Sequence, residues 1–139
     1  EAMYTLGIMH EQGLGTKIDF ERAFHYYEQA ATHGDVEAAY RLGMIYFEGE
    51  LGQSRNIKQA LNYFKQAAEQ HHVDAIFNLG YIAELTQGMT EQTIRYYKKA
   101  SLLGDIDATT KLVHYYEQTN EAQAQKWREK LAHLEHKQR

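Results

Sequence analysis

Eight histidines are the first residues in this 139-residue chain whose type could do chemistry. His71-His72 are adjacent, and His133 and His136 are three residues apart, a spacing that places two imidazoles on one helix face as a ligand pair for zinc. Neither pair has a third ligand nearby in the sequence, so no metal site is expected. The serines offer no nucleophile: neither Ser54 nor Ser101 begins an S-x-x-K, and no G-x-S-x-G or H-E-x-x-H is present. Gly13-x-Gly15 has no strand before it and reads as a loop, not a phosphate cradle. Cysteine is absent, which removes disulfides, thiolate zinc ligands and thiol nucleophiles. The chain is expected to be no enzyme and to carry no cofactor. Eleven tyrosines remain, and their spacing makes them core before it makes them chemistry.

The elements that position these side chains repeat. Leu6-Gly7, Leu42-Gly43 and Leu79-Gly80 each follow an alanine (Ala2, Ala38, Ala75) by four residues, and a fourth copy runs from Ala108 to Leu112-Val113. A second segment follows each first one: Ala23-x-x-Tyr26-Tyr27-x-x-Ala30-Ala31, then Ala60-x-x-Tyr63-Phe64-x-x-Ala67-Ala68. The third reads Thr93-x-x-Tyr96-Tyr97-x-x-Ala100-Ser101 and the fourth Ala124-x-x-Trp127-Arg128-x-x-Leu131-Ala132. Apolar residues at three- and four-residue steps make each segment one amphipathic helix, so each unit is a helix A followed by a helix B. Asp19, Asn56, Thr90 and Asn120 stand where helix B needs an N-cap. Gly34 and Gly104 close it.

A glycine inside helix A costs about 1 kcal/mol relative to alanine. Its recurrence implies a close helix–helix approach, filled by an aromatic from the next helix. No apolar run is long enough to span a membrane, and no signal-peptide pattern opens the chain. A net charge of −4 gives no argument for nucleic acid. The chain starts inside a motif, at Glu1, and reads as a segment of a longer protein; its compartment is undetermined, bacterial cytoplasm and periplasm or secretion both remaining open.

These residues resemble the Sel-one-like repeat (SLR), a relative of the tetratricopeptide repeat, over essentially the whole chain. Ala2, Leu6, Gly7, Gly13, Gly15, Asp19, Ala23, Tyr26, Tyr27, Ala30, Ala31 and Gly34 match its pattern in repeat 1, and Tyr46 and Gly49 add to the match in repeat 2. His10 and Ala83 replace the family's helix A tyrosine, and His10 is expected between helices with a hydrogen bond. His71 replaces a closing glycine. The fourth unit is degenerate, its polar last helix suiting a natural capping end.

The resemblance implies an all-α, right-handed α-solenoid: one domain, 1–139, with repeats 2–37, 38–74, 75–107 and 108–139. Helix A would line the concave side and helix B the convex side. It further implies a non-catalytic scaffold or adaptor binding a protein or peptide on the helix A face. The groove residues so placed are Tyr4, Glu11, Glu37, Tyr40, Met44, Phe47, Glu48, Asp74, Phe77, Tyr81, Glu84, Asp107, His114 and Glu117. Glu1 belongs with them, as do Ile8, Gln12, Leu85, Thr110 and Gln118. Eight of these twenty positions are acidic and none is Lys or Arg. Acidic rims beside the aromatic strip of Tyr40, Phe77 and Tyr81 would suit a segment carrying Lys or Arg, unless the acids are only solvated members of the repeat pattern. The alternatives are a carbohydrate- or peptidoglycan-binding module using Tyr81 and Tyr115, or a hydrolase of the β-lactamase-like kind linked to cysteine-rich relatives, whose cysteines are missing here.

Overall fold

The computed structural model describes residues 2–138, and they form eight α-helices without a strand. Four A helices alternate with four B helices: α1 (Ala2–Gln12), α2 (Phe20–Thr32), α3 (Val36–Glu48), α4 (Ile57–Ala68), α5 (Val73–Gln87), α6 (Glu91–Leu102), α7 (Ile106–Thr119) and α8 (Glu121–Lys137). They fall into two compact units, Glu1–His72 and Val73–Arg139, each holding two helix hairpins. Within a unit every helix packs on the next in sequence.

The B helices start where a side chain can take an orphan amide. Asp19 accepts from the Arg22 N–H (3.1 Å), Asn56 from Gln59 (3.1 Å), Thr90 from Thr93 (3.3 Å) and Asn120 from Gln123 (3.2 Å), as expected of N-caps. Two A helices are capped likewise, by Asp35 on the Ala38 N–H (3.0 Å) and Asp105 on the Ala108 N–H (2.7 Å). Gly34 and Gly104 end α2 and α6 at φ +91° and +99°, the left-handed conformation that glycine adopts without strain. At the matching place after α4 stands His71, held at φ +64°.

The helix glycines explain the core. A Cβ on Gly7 would lie 2.6 Å from a Tyr27 ring carbon, one on Gly43 2.5 Å from Phe64, and one on Gly80 2.8 Å from Tyr97. These three A helices are thus notched where the second aromatic of the helix B that follows packs against them. These three rings are buried, Phe64 and Tyr97 completely. Burying such a ring contributes about 2–3 kcal/mol, more than the glycine costs. Ala38, Ala39, Leu42 and Ile45 are sealed on the other flank of α3, where α2 packs and Phe24 meets Tyr46 edge-on at 5.9 Å. Between α6 and α7 the corresponding seam holds a buried hydrogen bond between the Ser101 and Thr109 hydroxyls (2.6 Å).

In the fourth hairpin the losses match one another. Arg128 occupies the ring position on α8, so Val113 needs no notch and is itself buried.

His10 corrects one expectation. It stacks on Tyr26 at 5.4 Å and 10°, as Tyr46 stacks on Tyr63 at 5.9 Å and 4°, so the imidazole keeps the ring contact of the tyrosine it replaces. Its Nδ1, however, is buried without a hydrogen-bond partner. A position shaped for stacking supplies no acceptor or donor to that nitrogen.

Candidate functional site

The face opposite the buried flank of each A helix carries the residues expected to bind. In the first unit these are Tyr4 and Glu11 on α1, with Glu37, Tyr40, Met44, Phe47 and Glu48 on α3. In the second they are Asp74, Phe77, Tyr81 and Glu84 on α5, with Asp107, His114 and Glu117 on α7. None of the fourteen is buried: the aromatics, Met44, Glu11 and Glu84 are half-buried, and the other acids and His114 are exposed. Glu1 lies outside the described residues.

The aromatic members are the outer layer of the core stack. Tyr4 lies 5.7 Å from Tyr27, Tyr40 5.8 Å from Phe64 and Phe77 5.5 Å from Tyr97, ring to ring. Each helix B ring is therefore held between a helix A glycine and a helix A aromatic three residues before it. Tyr40 also stacks on His72 at 4.4 Å, and Phe77 on Tyr81 at 6.2 Å. Desolvation raises the pKa of Tyr4, and the carboxylates of Glu37 and Asp35 add to the shift; Tyr4, Asp35 and Glu37 line one shallow depression.

Most of the acids are engaged within the chain. Glu11 accepts from the Tyr27 hydroxyl (2.6 Å) and from Nε and Nη2 of Arg41, whose Nη1 donates to Glu50 (2.8 Å). Burial pushes the Glu11 carboxyl up, but the hydrogen bonds from Arg41 and Tyr27 and the Arg41 charge outweigh it and hold the pKa below the usual carboxylate range. The second unit repeats the arrangement: Tyr97 donates to Glu84 at 2.6 Å, and Lys111 Nζ sits 3.1 Å from Glu84 and over the Tyr81 ring. Glu84 is lowered in the same way, with burial opposed by Tyr97 and Lys111. Desolvation first, and then the bonded carboxylate, raise the phenols of Tyr27 and Tyr97 above the ordinary tyrosine range.

Glu37 lies 3.2 Å from His72 Nε2, and Glu117 accepts from Arg128 of α8 at 3.0 Å. Glu48 stays exposed, its pKa raised by desolvation and the neighbouring Glu50 carboxyl. Among the described residues, no three His, Asp or Glu side chains stand together as a metal site.

The basic residues of this face, Arg41 and Lys111, were missed by sequence reasoning. Their signal was available: both stand one residue before the helix A leucine of the following repeat, facing the preceding glutamate.

A family model settles what the repeats are. The Sel1 repeat model matches residues 1–35, 36–72 and 73–105. The chain belongs to the Sel1 repeat family. The match stops before α7, although α7 and α8 still pair as a hairpin. Two solved Sel1-type structures are similar to it. A protective antigen present in uropathogenic Escherichia coli, displaying an SLR fold, is 30% identical with a TM-score of 0.78, covering 95% of this chain and 30% of its own. A Sel1 repeat protein from Oxalobacter formigenes is 26% identical with a TM-score of 0.77, covering 94% and 57%. The chain thus spans less than a third of the first of these relatives and somewhat over half of the second. Among the described residues, no helix of this Sel1 chain is long and apolar enough to cross a membrane.

Proposed function

We propose that this Sel1 repeat chain is a non-catalytic scaffold that binds a protein or peptide on the helix A faces of its hairpins. Sel1 repeats are in general protein-interaction scaffolds, and stacked helical repeats present extended surfaces for polypeptide segments. One observation carries the reading. On α3 the flank with Ala38, Leu42 and Ile45 is fully sealed, whereas Tyr40, Met44 and Phe47 leave part of their surface to solvent. Large side chains kept at half exposure on a rigid element can bury that remainder against a partner.

The expectation of a Lys- or Arg-bearing partner is weakly supported. Of the seven acids in the site, Glu11, Glu37, Glu84 and Glu117 each have a basic side chain beside them.

A displayed peptide library screened against the folded chain tests the scaffold reading. Met44→Ala and Phe47→Ala are expected to weaken the recovered binders about tenfold, roughly 1.4 kcal/mol, with helicity unchanged. Binders indifferent to both changes would place the contact elsewhere.

A further inference from the structure

The residue before each helix A leucine is matched to the hairpin that comes before it. Glu11, four residues after Gly7, is met by Arg41, which stands before Leu42 of the next hairpin. Glu84, four residues after Gly80, is met by Lys111, which stands before Leu112. Phe47, four residues after Gly43, brings no carboxylate, and the residue before Leu79 is the uncharged Asn78. A cation thus occupies this joint only where the preceding hairpin presents an acid. In the first hairpin the position holds Thr5.

The flank of α1 that continues this pattern is uncovered. On α3, where α2 packs, Ala38, Ala39 and Leu42 are fully buried, and on α7, where α6 packs, so are Ala108, Thr109 and Leu112. Their counterparts on α1 are Ala2, Met3 and Leu6. Ala2 and Met3 are exposed, Met3 by 37%, and Leu6 is half-buried. Met9 is half-buried as well, at the place of the sealed Ile45.

We infer that this flank of α1 is the docking surface for a preceding hairpin of the same polypeptide, whose B helix lies along α1 as α2 lies along α3 and whose helix A carries no carboxylate four residues after its glycine. Continuity selects the occupant: the α2–α3 and α6–α7 seams each join successive helices of one chain through a three-residue turn. Charge selects its joint residue. From Ala2 to Met9, α1 has no charged side chain. Asp35 and Glu37, the latter 3.2 Å from His72 Nε2, line the same depression as Thr5. A carboxylate brought to Thr5 would meet two acids and no cation from α1, which disfavours its charged form. A second copy of this chain fits worse. Its α8 offers Gln125 where α2 turns Phe24 onto Tyr46, and an exposed Ala132 where Ala31 is buried. Two α1 flanks set against each other would bring only Met3, Leu6 and Met9 from each side, short of the roughly 800 Å² per partner of a stable dimer.

The test lengthens the 139-residue chain by one hairpin placed before Glu1. A copy of residues 35–73 brings Phe47 to Thr5, and a copy of residues 1–36 brings Glu11. With the first copy, amide exchange in α1 is expected to slow at least about tenfold relative to the unextended chain. Met3→Glu, at a side chain exposed in the unextended chain, should abolish that slowing. With the second copy the slowing should be smaller and be restored by Thr5→Arg, a change that adds nothing beside the first copy. Unchanged exchange in α1 with either copy would overturn the inference, as would equal slowing by both copies with Thr5→Arg indifferent. Self-association of the unextended chain that Met3→Glu abolishes would also overturn it, by giving the flank to a second copy.

Discussion

Gly43 is the residue on which the packing argument is sharpest. A methyl group there would sit 2.5 Å from Phe64 ring carbons, and the ring is wholly buried, so it has little room to retreat. Gly43→Ala gains about 0.8–1.0 kcal/mol of helix propensity against an overpacking cost of about 1–3 kcal/mol. We expect net destabilisation in chemical denaturation, larger for Gly43→Leu, and partial rescue when Phe64→Leu is added. A singly substituted protein as stable as the parent would mean that the notch is not needed.

The Glu11 joint gives the pH dependence. Its folded pKa lies below the unfolded value, near 4.3. Its contribution to stability is therefore complete above that value and lost as pH falls through the folded pKa. Tyr27 works in the opposite sense: its folded pKa lies above 10, so its contribution is complete below pH 10 and lost as pH rises through the folded pKa. Tyr27→Phe removes one of the hydrogen bonds that lower Glu11. On acid titration the variant should lose less stability than the parent, because the gap between the unfolded and folded pKa of Glu11 is narrower. Coincident acid titrations would remove Tyr27 from the joint.

At the scale of the element, His71 marks a helix end made with the wrong residue. Its φ of +64° costs a non-glycine residue about 1–2 kcal/mol, and its exposed side chain has no buried packing to lose. His71→Gly should therefore raise the denaturation midpoint, by about 1 kcal/mol in stability; an unchanged or lower midpoint would show that the imidazole makes up the strain. Helix α8 differs from the other B helices in another way: it buries only Ala124, whereas α4 buries Ala60, Phe64, Ala67 and Ala68. Hydrogen exchange should be faster in α7 and α8 than in α3 and α4, and uniform protection would contradict this.

Helices, caps and notches were legible in the sequence because each is a local rule. Asn56 and Thr90 cap by reaching three residues ahead, and Gly43 announces itself by its cost. The Glu11–Arg41 pair was not legible in that way. It joins residues thirty positions apart on two different repeats, so the acids of the face looked unpaired when repeats were read singly. Setting Glu11, Phe47 and Glu84 beside Tyr27, Phe64 and Tyr97 recovers half of the joint. The cation appears only when the next repeat is laid alongside. The unpartnered Nδ1 of His10 had no sequence signal, since periodicity places a ring in a stack without saying what meets its edge.

At the scale of the whole molecule, we propose that helix A recognises the partner and helix B supports it. The A helices turn Tyr4, Tyr40 and Phe77 outward from the same rings that the B helices drive inward, so the proposed recognition surface is held by the core and not by loops. Pre-positioned side chains lose little freedom on binding, which favours affinity from a modest area. Backbone chemical-shift mapping with a library-selected peptide tests this division most directly. Perturbations are expected to concentrate at residues 4–11 and 40–48, with residues 20–32 and 57–68 following only at the rings that touch them. Perturbations concentrated on the outer sides of α2 and α4 would contradict it.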